Sequence, residues 1–497
     1  MEQFLYNRIE KKNAKLNVWF MYPAIKSFAM ASLGFLSIFK MLDLDENLYV
    51  ERIYQDTKNY EIPLDCLDCA GFSCSFEIDF FTVIKMLQKY QIPIKYQDRT
   101  EDSPLIFGGG PVLMANPKPF EDFFDFICIG EKISLQKAFN EIINCLDKTR
   151  DEKLRALSQL DGIYVPKYPK NHIKITRDDL KEDIAYTTIL SDESYFKDTF
   201  VVEIERGCPK MCNFCLASWL NVPTRFAPLD KILKTIDFGL QYTDKLALMG
   251  AYVAGHPDFN KIIEHISKYF ETRPIELSIS SLRADLADEN LIKLLVKCKQ
   301  KTATIALEAG SQRLRDYIKK DLKEEQILNT LKVAQIEGLK GMKIYTMIGL
   351  PTESNEDIIE LVELVKKMKS QIKTIGGNFD ITISTSTFIP KAHTPFENVN
   401  RTDKKTLETR INYLKKEFHK IGVTFRPSSI DWDVIQSILS RCDKSLADLL
   451  IEVVEQGGNL GAFKRIWKLY HKKGLLPEFE QASIKPFETM VWKFIEP

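Results

Sequence analysis

Glu205-Arg-Gly-Cys-Pro-Lys-Met-Cys-Asn-Phe-Cys-Leu216 carries three cysteines, Cys208, Cys212 and Cys215, in the spacing C-x3-C-x2-C. Thiolates this close in sequence can wrap one face of a [4Fe–4S] cluster and leave its last iron without a protein ligand. An iron left open is a place for a small molecule, as an open position on any catalytic metal is. A zinc knuckle is the alternative for the same residues. Zinc wants four ligands, and no further Cys or His lies between Cys215 and His256. The spacing therefore favours a cluster.

The surroundings agree with that reading. Thr199-Phe-Val-Val-Glu-Ile-Glu205 is an apolar strand that delivers the cysteine loop at its carboxyl end. Five more strands are predicted, at 246–249, 276–280, 304–307, 343–348 and 380–385. Helical patterns run between them, such as Ile262, Ile263, Ile266 and Phe270, or Ile327, Leu328, Leu331 and Ala334. Six βα units are two short of a closed eight-fold barrel, and ligands belong at the carboxyl face as in the closed form.

The cysteine spacing, with Phe214 just before the third cysteine, resembles the signature of the radical S-adenosylmethionine (radical SAM) superfamily. The resemblance implies a partial TIM barrel whose open iron chelates the amino and carboxylate groups of SAM. One electron then cleaves SAM to a 5′-deoxyadenosyl radical. It also implies an electron donor such as flavodoxin or ferredoxin. Leu248-Met-Gly-Ala-Tyr252 stands where the family has a G-G-E segment that binds the SAM amino group through backbone, a role left here to Gly250. Ser281 and Arg283 lie in Ser280-Ser-Leu-Arg-Ala-Asp285 at the third strand end, with Arg283 suited to the SAM carboxylate. Glu308 ends the fourth strand, positioned to accept from ribose hydroxyls, and Gly349 ends the fifth, where it would let adenine approach. Past the sixth strand, Lys391 and His393 are candidate substrate contacts. No catalytic acid, base or nucleophile is assigned.

The first part of the chain alternates short apolar strands and helices: strands near 15–23, 48–53, 69–75, 104–110 and 124–129, helices near 32–42 and 80–90. This pattern predicts an open, doubly wound, Rossmann-like sheet with its ligands at the carboxyl ends of the strands. Gly108, Gly109 and Gly110 end one strand, and Gly130-Glu131 follows another. G-x-G-x-x-G is absent, so no dinucleotide site is read. The segments 103–111, 116–119 and 123–131 resemble the cobalamin-binding-type domain that precedes the core in one large branch of the superfamily. The D-x-H-x-x-G loop is missing and no histidine occurs before His172. Two readings stay open, cobalamin held without a histidine lower ligand or a scaffold of the same fold. Cys66, Cys69 and Cys74 form a second loose group, either an auxiliary cluster or small buried residues.

The expected layout is a Rossmann-like domain at 1–161, a linker at 162–198, the core at 199–400 and a helical region at 401–497. In the last, Leu407, Ile411, Leu414, Phe418 and Ile421 step at helical spacing, and Trp432, Trp467 and Trp492 are expected to pack. Lys plus Arg and Asp plus Glu both number 69, so no global charge draws the chain to nucleic acid or an anionic membrane. No apolar run spans a bilayer and no signal sequence is evident, which predicts a cytoplasmic protein. The function expected is a radical SAM enzyme that takes hydrogen from an unreactive carbon, with methyl transfer or a carbon-skeleton change if cobalamin binds. The alternatives are a methylthiotransferase-like modifier of RNA or protein, and a non-catalytic iron–sulfur protein. The segment 401–497 lacks the β-rich pattern of the small RNA-binding barrel that ends the tRNA methylthiotransferases.

Overall fold

The computed structural model describes residues 2–485 and 490–497. Near the amino terminus, six strands lie in the spatial order Leu48–Tyr54, Leu16–Tyr22, Cys69–Ser73, Leu105–Gly109, Phe126–Cys128 and Ile163–Tyr164. All neighbours are parallel except the last pair. The second strand in sequence lies outside the first. That order puts a switch point between Leu16–Tyr22 and Cys69–Ser73, where an α/β sheet opens a crevice at its carboxyl edge.

Both faces of this sheet are buried, which is why its strands read as continuous apolar runs. Val18, Phe20 and Phe107 pack with Phe35, Phe39 and Phe139 from helices Leu33–Asp43 and Lys132–Asn144. On the opposite face Trp19, Met21 and Phe72 pack with Phe80 and Ile84, and with Ile435, Leu450 and Trp467 from the far end of the chain. Helices Ile430–Arg441, Ala447–Glu455 and Leu460–Lys472 therefore cover the amino-terminal sheet instead of forming a region of their own. Each apolar side chain so buried contributes about 1.5–3 kcal/mol.

The stretch 162–198 is not a free connection. Ile163–Tyr164 is the antiparallel edge of the sheet, Ile173–Lys174 pairs with Ile495–Glu496, and Ile189–Ser191 pairs with Glu2–Phe4. Its prolines and polar residues suggested a linker, but its isolated apolar pairs serve as short strands.

The second half of the fold is a parallel array in two pieces. Phe200–Glu203, Lys245–Met249 and Glu276–Ile279 form one. Thr302–Glu308, Gly341–Ile348, Asp380–Thr387 and Thr424–Pro427 form the other. A single bridge between Leu282 and Ile305 joins them. The seventh strand falls in the stretch read as helical, because the four residues Thr424–Pro427 are too short a signal to separate from the helix end at Gly422. Helix Lys404–Lys420 precedes it as expected, burying Leu407, Leu414 and Phe418. Alternate strand residues such as Leu248, Ile305, Ile344 and Ile383 face the helices. The intervening residues Ser278, Ser280, Thr304, Thr382 and Ser384 face an open interior and are exposed or half-buried. Among the described residues no helix is long and apolar enough to cross a membrane.

Candidate functional site

The cysteine loop is held from several sides. Glu205–Arg206 pairs antiparallel with Arg225–Phe226, closing a small hairpin around it. Gly207 has φ +89°, and a Cβ there would lie 2.6 Å from the Asn221 carbonyl oxygen, so only glycine fits. The Cys215 amide and the Trp219 indole N–H both donate to the Cys212 carbonyl, at 3.1 and 2.9 Å. The Asn213 amide donates to the Ile318 carbonyl at 3.0 Å and its side chain to the Tyr317 carbonyl at 2.9 Å. Cys208 and Cys212 are buried and Cys215 is half-buried. Burial pushes the Cys212 thiol up to about 11, and burial likewise raises Cys208. Among the described residues, no three His, Cys, Asp or Glu side chains converge as they would on a single metal ion. A cluster asks less of the thiols, since each binds a different iron.

The strand ends around the loop carry a set of charged residues, some of them not anticipated. Arg283 donates from Nε to Asp285 at 2.9 Å and from Nη2 to the carbonyls of Lys320 and Asp321 at 2.9 and 3.3 Å. Its Nε and Nη2 are thus spent on the chain itself, which leaves little of the fork for the bidentate ligand contact expected. What Arg283 holds is the turn 319–321, in which Lys319 and Asp321 both adopt positive φ, 55° and 47°. That strained turn aims Lys320, only 7 % exposed, at Glu308 3.1 Å away. Glu308 itself has φ +66°. Non-glycine residues held in this region cost about 1–3 kcal/mol each and gather at functional sites. Lys320 gave no sequence signal, because its placement depends on a turn that no spacing rule describes.

The other candidate residues fall into different roles. Ser281 is exposed at the strand end. Phe214 packs on an apolar group with Leu314, Ile318, Leu350, Phe388 and Phe396. Gly349 has φ +78°, its amide donates to Glu353 at 2.5 Å, and a Cβ there would lie 2.7 Å from Leu407, so this glycine answers to chain packing and not to the expected approach of adenine. Glu353 also takes Arg410 at 2.5 Å, and burial pushes its carboxyl up to about 7 against that arginine. A Cβ on Gly250 would lie 2.2 Å from Oε1 of Glu205, a buried acid that no motif spacing singles out. His393 and Lys391 are not at the site: His393 Nε2 meets the Ala115 carbonyl at 2.9 Å and Lys391 pairs with Glu77 at 2.5 Å. Both tie the two halves of the fold together.

A cavity of about 390 Å³ opens at the carboxyl edge of the amino-terminal sheet. Phe20, Phe72, Gly109, Gly130 and Glu131 line it from that sheet; Arg206, Leu220 and Met249 line it from the barrel. The three glycines 108–110 all border it but differ in need. Gly108 is crowded by Leu113 and Phe124 at 2.7 Å, and Gly110, at φ +111°, by the Cys74 carbonyl oxygen at 2.2 Å. Those two answer to chain packing. At Gly109 a Cβ would meet only Cys128, at 3.6 Å. Glu131 accepts from both Arg206 and Arg225, which outweigh the effect of burial and hold its carboxyl low. Arg206 thereby fastens the cysteine loop to the sheet. Cys69 and Cys74 belong to different cores, on opposite faces of the sheet, so they do not share a cluster with Cys66. A larger cavity, about 850 Å³, lies beside the edge strand Leu48–Tyr54, where Arg52 pairs with Glu2 at 2.6 Å.

Residues 202–365 match the family described as the radical SAM superfamily, and residues 34–166 match the one described as radical SAM proteins, N-terminal. An uncharacterized protein of Methanocaldococcus jannaschii is 32% identical over 83% of this chain and 84% of its own length. A threonylcarbamoyladenosine tRNA methylthiotransferase of Aquifex aeolicus is 24% identical over 34% of this chain and 42% of its own. Among solved structures, the cobalamin-dependent SAM radical enzyme OxsB with aqua-cobalamin bound aligns with a TM-score of 0.50 at 15% identity. That alignment covers 70% of this chain and 52% of the other, so the chain spans about half the length of that enzyme.

Proposed function

The chain belongs to the radical SAM superfamily, and on that premise we propose that it binds a [4Fe–4S] cluster on Cys208, Cys212 and Cys215 and cleaves SAM beside it. The radical so made would take hydrogen from an unreactive carbon. The observation that carries this reading is the single loop that brings the three thiols to the carboxyl end of a parallel strand. When bound and reduced, the cluster supplies the electron for cleavage. This chain's own residues do the positioning. Lys320 takes the SAM carboxylate, and Arg283 keeps the 319–321 turn in place for it. Glu308 accepts from ribose hydroxyls, while Phe214 and Ser281 line the nucleoside side.

Cobalamin would be a second cofactor at the crevice of the amino-terminal sheet: the cavity of about 390 Å³ would take only part of it, against Phe20, Phe72, Gly109 and Gly130, and residues 1–161 offer no histidine ligand. A methyl transfer to carbon would then be within reach. The tRNA activity of the methylthiotransferase relative is not carried over, since that likeness is 24% identity over 34% of this chain.

The test is electron paramagnetic resonance of the reconstituted, reduced protein. The cluster signal should change shape when SAM is added, because SAM enters at the open iron. A signal indifferent to saturating SAM would contradict the reading. In the same preparation Lys320→Met should weaken SAM binding at least tenfold, about 1.5–3 kcal/mol for a lost charged hydrogen bond. Adding Arg283→Met should weaken it little further, since the two residues act as one unit. Fully additive losses would show that Arg283 touches SAM itself.

A further inference from the structure

Glu205 is the one acid at these strand ends with no cation. Glu308 has Lys320, Asp285 has Arg283, Glu353 has Arg410 and Glu203 has Arg206. Among the described residues Glu205 forms no ion pair, although it is only 2 % exposed. Its Oε1 accepts the Tyr252 amide, with the Ala251 amide also directed at the carboxylate. Its Oε2 is buried and has no hydrogen-bond partner. A buried carboxylate oxygen left without a donor is costly, and native structures rarely keep one without reason.

The place of this unmet acceptor is specific. Glu205 stands three residues before Cys208 and within electrostatic reach of that thiol. Its carboxylate lies against Gly250, at the end of the neighbouring strand Lys245–Met249. The segment 249–251 has no acid of its own. A side chain on Gly250 would occupy the space the Glu205 carboxylate fills, so glycine there makes room for Glu205.

On the reading of this site as a SAM site, we propose that Glu205 receives the amino group of SAM through Oε2. The amino-acid end of SAM carries one basic and one acidic group. Lys320, near Cys212, answers the carboxylate. Glu205, near Cys208, answers the amine, and the 250–252 turn serves to hold Glu205 by its other oxygen. Glu205 stands before Cys208 and Lys320 in the 319–321 turn nearer Cys212, so SAM would lie with its amine toward the first and its carboxylate toward the second.

The assignment is tested by equilibrium dialysis of the reconstituted protein, under anaerobic conditions, with two ligands: SAM and its deaminated counterpart lacking only the α-amino group. Glu205→Gln keeps the volume and the carbonyl that accepts from Tyr252, and removes the charge. It should weaken SAM binding at least tenfold and leave the deaminated ligand bound as tightly as by the parent, with iron content unchanged. Gly250→Ala, which pushes the carboxylate from its seat, should give the same pattern without altering Glu205, and carries the comparison should Glu205→Gln not assemble its cluster. Equal weakening of both ligands, or no change in either, would overturn the assignment while leaving the SAM site intact. A parent that binds neither ligand would overturn the SAM site and this assignment together.

Discussion

Anaerobic reconstitution with iron and sulfide is expected to give about four iron atoms per chain, and alanine at Cys208, Cys212 or Cys215 to remove essentially all of them. The effect should be complete because two thiolates cannot retain a cluster whose remaining irons face solvent or a small ligand. The loop itself should survive each substitution. Its shape rests on backbone bonds, with the Cys215 amide and the Trp219 indole on the Cys212 carbonyl and Asn213 on 317–318. Alanine at Cys66, Cys69 or Cys74 should leave the iron unchanged, since Cys69 and Cys74 face different cores. Stoichiometric zinc that excludes iron would contradict the cluster reading. Iron loss on changing Cys74 would contradict the placement of that residue.

Gly109→Trp is expected to abolish retention of cobalamin. Purified protein given hydroxocobalamin should emerge from gel filtration with a visible spectrum distinct from that of the free cofactor, and the variant should emerge without it. Gly109 is chosen because its Cβ direction is open, meeting only Cys128 at 3.6 Å, and its strand end borders the cavity. The same change at Gly108 or Gly110 would strike Phe124 or the Cys74 carbonyl and test folding instead. No histidine precedes His172, so the spectrum should show no imidazole ligand from the amino-terminal strands. A parent protein that leaves the column free of cobalamin at excess cofactor would make the sheet a scaffold and remove the support for methyl transfer.

Local signals in the chain spoke clearly where one short stretch does the work. The C-x3-C-x2-C spacing, the apolar runs ending at Tyr22 and Gly109, and the four- and three-residue steps of Leu407, Leu414 and Phe418 each encode their own structure. What was illegible depended on distant partners. Trp467 and Ile435 read as packing residues, but nothing local says that they pack on Trp19 and Met21. His393 and Lys391 looked like mouth residues by position, yet Ala115 and Glu77 claim them from the other half of the fold. Arg283 has the residue type and position of an anion contact, and the structure commits it to Asp285 and the Lys320 turn. Glu205 was in plain view at the head of the cysteine stretch. Its burial and its unpaired oxygen appear only once the neighbouring strand brings Gly250 against it.

Together these residues are proposed to assemble a site for reductive cleavage of SAM. Its most direct measurement is product analysis of reconstituted, dithionite-reduced protein incubated with SAM in the absence of oxygen. 5′-Deoxyadenosine and methionine should appear in equal amounts, formed only with reductant and lost with alanine at Cys208, Cys212 or Cys215. SAM recovered intact from protein that carries its full cluster and is fully reduced would contradict it.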